Sequence, residues 1–288
     1  MNYATRKRQA VLFTTLPGLV TIGLMLLVPL ASLGFLSFNT YDVNSGIKSA
    51  FSFENYVAIF TDSYYGLVFV RTLRIAFAVT FLSVCAGTLE AVVLSRMNPK
   101  YRSILLLVNF APLLISVVSR TLGWALLIGP MGILNEMLTG VGILDSPLRL
   151  MYTETGVIVA LTHVLVPFVV IAVWTALGRG DPLVEKAAVA MGASPFTVFR
   201  RIILMQALPG ILSGGVVVFS LAASAFATPQ IIGGARLKVA STLAYDEFLN
   251  TMNWPLGAAV AVVLILVIVA IVTLGSRMVE KRFPQVFK

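Results

Sequence analysis

The stretch VEKAAVAMGASPFTVFRRIILMQALPG, which runs from Val184 to Gly210, lies between two strongly apolar segments. It contains Gly192, Pro195, Pro209 and a run of small residues where a membrane helix would have leucine. Glycine and proline in close succession favour bends and helix ends. The stretch therefore predicts a short, bent and partly polar interruption in a chain that is otherwise rich in apolar segments.

The composition of the whole chain indicates an integral membrane protein. Of its 288 residues, 58% are hydrophobic and only 11% are charged, and the mean hydropathy is +0.95. Soluble domains have about 25% charged residues. Cys85 is the only cysteine and His163 the only histidine, so we expect no intrachain disulfide and no metal site. The chain lacks a G-x-x-x-x-G-K-[ST] loop, and we expect no cofactor and no catalytic residues.

Six segments are long and apolar enough to cross a membrane, which takes about 20 residues. The predicted fold class is an all-α integral membrane protein with six transmembrane helices in one domain, residues 1–288. The predicted spans are residues 11–38, 66–94, 103–128, 156–177, 203–226 and 254–276.

The distribution of basic residues predicts which side of the membrane each loop occupies. Four lie in one set of loops, namely Lys48, Arg149, Arg236 and Lys238. The alternate segments carry fourteen of the 21: Arg6, Lys7, Arg8, Arg96, Lys100, Arg102, Arg179, Lys186, Arg200, Arg201, Arg277, Lys281, Arg282 and Lys288. Basic residues accumulate in cytoplasmic loops, so both termini and residues 178–202 are predicted to be cytoplasmic. The net charge of +9 is then a topology signal, and no nucleic-acid partner is expected.

The local sequence predicts two short helices in residues 178–202. Asp181-Pro182 is a helix start, with an N-cap acceptor before proline at the first helical position. Leu183–Met191 can form a helix of about nine residues, roughly 14 Å long. Gly192 supplies the stop, because glycine enters the left-handed conformation without steric cost. Ser194-Pro195 repeats the start signal, and the second helix continues into the fifth span.

Two interpretations of this bent segment remain open from its residues alone. It either docks into a cleft on a partner protein or connects two spans along the membrane surface. Small apolar side chains allow a partner to approach closely, and basic side chains at the membrane boundary can contact lipid phosphates. The small apolar side chains belong to Ala187, Ala188, Ala190 and Met191, and the basic side chains belong to Arg200 and Arg201.

The segment resembles the EAA loop of the permease subunits of ABC-type importers. The pattern E-x-A-A-x-x-x-G, followed by isoleucine and proline, is matched by Glu185, Ala187, Ala188, Gly192, Ile203 and Pro209. Lys186 stands where the motif has its first alanine. The resemblance implies that the helix before Gly192 is a coupling helix that docks on a cytoplasmic ATPase. The residues it assigns to ATPase coupling are Glu185, Ala187, Ala188, Gly192, Ala193 and Ser194.

Three further stretches resemble the permease subunits of spermidine/putrescine importers. They are GILNEMLTGVGILDSPLRLMYT (Gly132–Thr153), ALGRGDPLVEKAAVAMGAS (Ala176–Ser194) and FLNTMNWPLGAA (Phe248–Ala259). The resemblance implies a type I importer permease fold in a bacterial inner membrane. It implies a pair of ATPase subunits, a second and different permease, and a periplasmic solute-binding protein as partners, with membrane lipid around the spans. The same branch includes permeases for ferric iron, thiamine, phosphonates and opines, so a polyamine is one of several expected solutes.

Polar residues inside the predicted spans are the candidates for a solute pathway. Arg120 lies in the polar triplet Ser119-Arg120-Thr121, with Trp124 one turn further on. A guanidinium lining the pathway would repel a cationic solute and favour an anionic or zwitterionic one; the alternative is a structural pairing. Ser220 and Ser224 lie on a small-residue face of the fifth span, which fits either the pathway or close helix packing.

An alternative of another class is a proton-coupled secondary transporter with Glu90, Arg120 and His163 as a relay. Buried charges in a membrane are functional candidates by default, but that mechanism gives no role to the bent segment. A non-transporting scaffold or receptor subunit is the third alternative. The sequence favours the ABC importer permease.

Overall fold

The computed structural model describes residues 3–282 of the chain. Its contacts divide the chain into two compact units, one formed by Met1–Ser63 with Leu243–Val263 and the other by Tyr64–Thr242 with Leu264–Lys288. Lys288, one of the residues used for the topology prediction, lies outside the described residues.

The helices and strands follow in a mostly helical order. From the N-terminus they are α1 (Tyr3–Ser37), β1 (Thr40–Asp42), β2 (Gly46–Lys48), α2 (Glu54–Thr61), α3 (Ser63–Arg96), α4 (Pro99–Leu114), α5 (Val117–Ile128), α6 (Ile133–Gly140) and α7 (Glu154–Leu177). They continue with α8 (Pro182–Ala190), α9 (Pro195–Val198), α10 (Leu204–Ala223), α11 (Ala240–Leu249) and α12 (Trp254–Arg282). π-Helical turns cover Phe199–Ile203 and Pro229–Gly233, and a 3₁₀ turn covers Gly234–Arg236.

Six helical segments among the described residues are long and apolar enough to cross a membrane, as the sequence predicts. They are Thr15–Ser37, Ser63–Arg96, Val117–Gly140, Glu154–Leu177, Pro195–Ala223 and Trp254–Met278. Five of them coincide closely with predicted spans, and the third differs from the predicted range 103–128.

A break in the backbone explains the difference at the third span. Helix α4 ends at Leu114, Ile115 and Ser116 have extended backbones with ψ of 140° and 135°, and α5 starts at Val117. Pro112 lies in the last turn of α4. Because proline has no N–H to donate and its ring crowds the preceding turn, the helix is weakened where it ends. The predicted third span therefore contains two helices instead of one.

Helix α7 lies at the centre of the core of the second unit. In its most apolar 18-residue window, 56% of the residues are buried, and Val169, Val170 and Val173 are fully enclosed. Glycines on its neighbours let their backbones come close, since a Cβ on Gly210 of α10 would lie 2.4 Å from the carbonyl oxygen of Ala172. Small residues at such contacts are typical of helix packing in membranes.

The first unit contains a small hairpin and an aromatic cluster that the sequence analysis did not predict. Strands β1 and β2 pair antiparallel, with Tyr41 opposite Ile47. The Phe38 ring stacks on the Phe51 ring with centroids 4.7 Å apart. The Asn55 side-chain amide ties the end of α1 to α2, because it donates to the carbonyl oxygens of Ser37 and Asn39.

Candidate coupling segment and pathway residues

We call residues 178–202 the coupling segment, and its first helix, α8, begins with a side-chain cap. One carboxylate oxygen of Asp181 accepts the backbone N–H of Leu183 at 2.8 Å. This satisfies one of the N–H groups that have no partner within a helix. Proline follows at the first helical position, and α8 covers nine residues, Pro182–Ala190. The predicted short helix is confirmed, one residue earlier than expected.

The end of α8 has the Schellman geometry, with Gly192 as the left-handed residue at φ +83°. The N–H of Gly192 donates to the carbonyl oxygen of Val189 at 2.9 Å, and the N–H of Ala193 donates to that of Ala188 at 3.0 Å. Ala193 also packs on the buried cluster that contains Ala188. These two bonds and the apolar contact are the features of this helix stop.

A second cap follows directly and starts the helix that leads into the fifth span. The Ser194 hydroxyl oxygen accepts the backbone N–H of Thr197 at 3.3 Å and lies 2.9 Å from the Thr197 hydroxyl. Helix α9 then passes into the π-helical turn Phe199–Ile203 and on into α10 without interruption. The bend is therefore fixed by two caps and one glycine.

One face of the coupling segment packs on the end of α3. Ala188 is 7% exposed and shares a buried cluster with Val92 of α3 and with Val198 and Ile203. One turn earlier on the same face, the Glu185 carboxylate forms an ion pair with the Arg96 guanidinium at 3.0 Å. Among the predicted coupling residues, Glu185, Ala188 and Ala193 thus pack against their own chain.

The other face of the coupling segment is exposed and mainly apolar, with Lys186 exposed among the apolar side chains. Ala187 is exposed, and Met191 and Phe196 are 82% and 70% exposed. Leu183 and Val189 are exposed as well. Large exposed apolar groups grouped on one rigid segment indicate an interaction surface.

Arg120 lies in the first turn of α5, where the third predicted span is broken. Its guanidinium donates a hydrogen bond to the carbonyl oxygen of Pro112. That carbonyl lies in the last turn of α4, where it has no backbone partner because the helix stops. Arginine near a helix C-terminus satisfies such carbonyls and interacts favourably with the helix dipole. Arg120 therefore bridges the two halves of the broken span.

The remaining pathway candidates lie on α5 and α10. The Trp124 ring meets the His163 ring of α7 edge-on, with centroids 5.4 Å apart. The Ser220 hydroxyl donates to the carbonyl oxygen of Val216 at 2.9 Å, and the Ser224 hydroxyl donates to that of Ser220 at 2.8 Å. Both serine hydroxyls are thus bonded within their own helix. It is Thr121 and Thr228 that connect α5 with the segment after α10, with hydroxyl oxygens 3.3 Å apart.

Two groups of polar contacts between helices were not predicted. Arg71 and Arg74 both form ion pairs with Glu154 at the start of α7, and Arg71 also donates to the carbonyl oxygen of Lys238 at 3.1 Å. The Asn109 amide donates to Glu90. The three-residue spacing of the two arginines places them on one face of α3, which is the signal that could have suggested a shared acidic partner.

The fold is that of an ABC transporter permease. A chain of a bacterial alginate ABC transporter, crystallised in complex with an alginate pentasaccharide-bound periplasmic protein, has this fold with a TM-score of 0.80 and 20% sequence identity. The similarity covers 98% of this chain and 97% of that chain. No protein-family model matches the sequence.

Curated relatives narrow the class to a family. The sequence is 33% identical over 227 residues to the spermidine/putrescine transport system permease protein PotB of Haemophilus influenzae, covering 79% of each chain. It is 32% identical over 257 residues to PotB of Escherichia coli, covering 89% of each chain. The chain belongs to this family of ABC transporter permeases, and it is a multi-pass protein of the bacterial inner membrane. The class predicted from the sequence is confirmed.

Proposed function

We propose that the chain is the transmembrane subunit of a binding-protein-dependent ABC importer and acts as one permease domain. The observation that carries this proposal is the coupling segment, a rigidly capped bend that presents Met191, Phe196 and other apolar side chains outward. Its backbone is fixed by hydrogen bonds on both sides of Gly192. A preformed apolar surface needs little ordering when it enters a partner's cleft, and this favours binding.

The partner at this surface is an ABC ATPase, present as a pair, and it hydrolyses ATP on behalf of the permease. Movement of the ATPases would displace the coupling segment and, through it, the spans on either side. This assignment requires the coupling segment and both termini to be cytoplasmic, which the distribution of basic residues favours. Arg200 and Arg201 in the wide turn after α9 would meet lipid phosphates at the same membrane boundary.

The solute pathway would form between this chain and a second, different permease, and a periplasmic binding protein would deliver the solute. Trp124, Ser220 and Ser224 are the residues we assign to the pathway lining. We assign Arg120 to the neighbouring broken span, where its bond to the Pro112 carbonyl gives the guanidinium a structural partner.

We propose a polyamine as the solute, on the strength of the similarity to permeases named for spermidine and putrescine. A polyamine is a flexible cation, and because charge repulsion falls with distance, a guanidinium held at the Pro112 carbonyl repels it less than one inside the pathway. The other solutes of this branch, among them opines, phosphonates, thiamine and ferric iron, serve as competitors in the test.

The test is uptake by proteoliposomes that contain this chain together with the permease, ATPase and binding protein that copurify with it from its native membrane. We expect accumulation of labelled spermidine or putrescine that requires internal ATP and the binding protein and is insensitive to an uncoupler. Uptake of only an anionic or zwitterionic solute would overturn the polyamine assignment. Uptake that collapses with the uncoupler and needs no ATPase would overturn the importer assignment in favour of proton coupling.

A further inference from the structure

The contact between α3 and α8 has two parts that lie on matching faces. Val92 and Arg96 are four residues apart on α3, and Glu185 and Ala188 are three apart on α8, so each pair shares one face of its helix. Val92 and Ala188 belong to one buried cluster. The Arg96 guanidinium and the Glu185 carboxylate are 3.0 Å apart. Helix α8 thus meets the end of α3 through one ion pair and through one apolar cluster, to which Val198 and Ile203 also belong.

The ionic part of this contact contributes little to folding stability. The Arg96 and Glu185 side chains are 54% and 32% exposed, and ion pairs in such positions are weakened by solvent and by the entropy of ordering two long side chains. The apolar part of the contact is the buried cluster that contains Ala188 and Val92. The effect of the ion pair that matters here is on the orientation of α8, not on folding stability.

The ion pair restricts the rotation of α8 about its own axis. A short helix held at one point can roll on its neighbour, whereas a second contact one turn away fixes which side chains face outward. Met191 and Phe196 are exposed in the orientation that the ion pair selects. Glu185 is also the motif glutamate, and here its carboxylate is directed at its own chain.

We propose that Arg96 is a positioning residue for energy coupling, which acts by holding Glu185 and thereby orienting the coupling segment and linking it to α3. The inference rests on the proposed function as an ATPase-coupled permease. Motion imposed on the coupling segment then reaches α3 through the Arg96–Glu185 pair and the buried cluster that Val92 and Ala188 share. With the ion pair broken, α8 still binds its partner but rolls instead of carrying α3 with it.

The test uses charge reversal in the complete transporter in proteoliposomes, with ATP hydrolysis and solute uptake measured on the same preparation. We expect Arg96→Glu and Glu185→Arg each to lower the solute carried per ATP hydrolysed by roughly fivefold or more, the lower end of coupling effects between distant sites. The double reversal and the conservative variant Arg96→Lys should restore most of that ratio. The apparent melting temperature should fall by no more than about 4 °C in any of them.

Lys100→Glu is the matched control. Lys100 is an exposed basic residue four positions beyond Arg96, and the contact described for it is made by its backbone N–H. Its reversal changes the net charge as Arg96→Glu does, and we expect the ratio to stay at the wild-type value.

Each alternative result has a distinct meaning. A wild-type ratio in Arg96→Glu with the ATPase still bound would overturn the positioning role. Loss of ATPase binding in Glu185→Arg without recovery in the double reversal would also overturn it, since Glu185 would then contact the ATPase directly. Failure of the wild-type chain itself to bind an ATPase would instead reject the proposed function.

Discussion

The backbone N–H of Ala193 donates to the carbonyl oxygen of Ala188 at 3.0 Å, so the chain closes on itself around Gly192. Ala188 is at the same time the buried residue of α8, packed in one cluster with Val92. Ala188 therefore takes part both in the turn that ends α8 and in the packing of α8 near α3. A change in the turn at Gly192 should also change that packing.

Substitution of Gly192 should impair coupling for conformational reasons alone. The residue has φ +83°, and a Cβ added there would meet no atom within 4 Å, so no steric clash with neighbours contributes. A left-handed conformation costs a residue with a side chain roughly 1–2 kcal/mol, and a β-branched residue more. We expect ATP-driven uptake to fall in Gly192→Ala and to be abolished in Gly192→Val, with the chain still inserted in the membrane.

Gly192→Asn is the matched control, because asparagine tolerates positive φ better than other residues with a side chain. It should retain most of the uptake and the ATPase that copurifies with the tagged chain. Equal uptake by the valine and asparagine variants would show that the turn does not matter for coupling.

Met191→Asp should release the ATPase without unfolding the permease. The Met191 side chain is 82% exposed, and substitutions at such positions usually change folding stability by less than about 0.5 kcal/mol. In a desolvated interface, however, an unpaired carboxylate should weaken binding by roughly tenfold or more. Binding of the purified ATPase to nanodiscs that carry the permease measures this directly.

The same substitution at Val43, which is 87% exposed in the turn of the β1–β2 hairpin and outside the candidate spans, provides the comparison. We expect its ATPase affinity to equal that of the wild type. If Val43→Asp and Met191→Asp lower the affinity equally, the apolar face of the coupling segment is not the docking surface.

Arg120→Ala should destabilise the permease and leave its solute preference unchanged. The substitution removes the donor for the part-buried Pro112 carbonyl, and the loss of a partner costs a buried acceptor about 1–3 kcal/mol, which is the upper limit here. The apparent melting temperature in detergent should fall by about 2 °C or more, and by less in Arg120→Lys, which keeps one donor.

The uptake ratio of spermidine to putrescine separates this role from one in the pathway. Spermidine carries one ammonium group more than putrescine, so removing a cation from the pathway would favour spermidine. We expect the ratio to be the same in Arg120→Ala and in the wild type. A selective rise in spermidine uptake would place Arg120 in the pathway.

The β1–β2 hairpin should depend on the charge of Asp42. The backbone N–H groups of Ser45 and Asn44, and then the side chains of Ser45 and Lys48, stabilise the carboxylate and lower its pKa from 3.8 to about 2. A lowered pKa in the folded state contributes stability above pH 3.8 that is lost as the pH falls through about 2. The hairpin should therefore keep its full protection from amide exchange at pH 5 and lose part of it at pH 3, before the contribution disappears near pH 2.

Asp42→Asn removes the charge at every pH, and its hairpin amides should exchange faster than wild type at both pH values. Asp145→Asn, at an exposed position after α6, should leave hairpin exchange unchanged. Equal exchange in the Asp42→Asn variant and the wild type at pH 5 would show that the Asp42 carboxylate does not stabilise the hairpin.

The coupling segment was predictable from the sequence because its structure is set by neighbouring residues. Asp181 before a proline, Gly192 and Ser194 before a proline each act within a few residues, and the structure places caps and the left-handed turn at these positions. The six-span fold followed in the same way from the lengths of apolar segments. A contact can be predicted from the sequence when both of its partners lie within one turn of each other along the chain.

The contacts between helices were not predictable from one sequence. Glu185 lies 89 residues from Arg96, and Glu154 lies 80 residues from Arg74, so no local pattern pairs them. The break after Pro112 was also missed, because proline inside an apolar run is tolerated in membrane helices when neighbouring groups satisfy the freed backbone. Here α4 ends two residues after Pro112, at Leu114, and Arg120 supplies the missing donor from the other side of the break.

At the π-helical turn Phe199–Ile203, the number of residues determines how far the preceding helices are rotated relative to α10. Such a turn holds one residue more than an α-helical turn, and one residue of α-helix corresponds to about 100° of rotation. Deleting a single residue there would restore α-helical winding and rotate α8, with everything it carries, by about that angle relative to α10. The direction in which α8 and its exposed side chains face is thus set by one residue of this turn, and each single insertion or deletion there would change that direction by about the same angle.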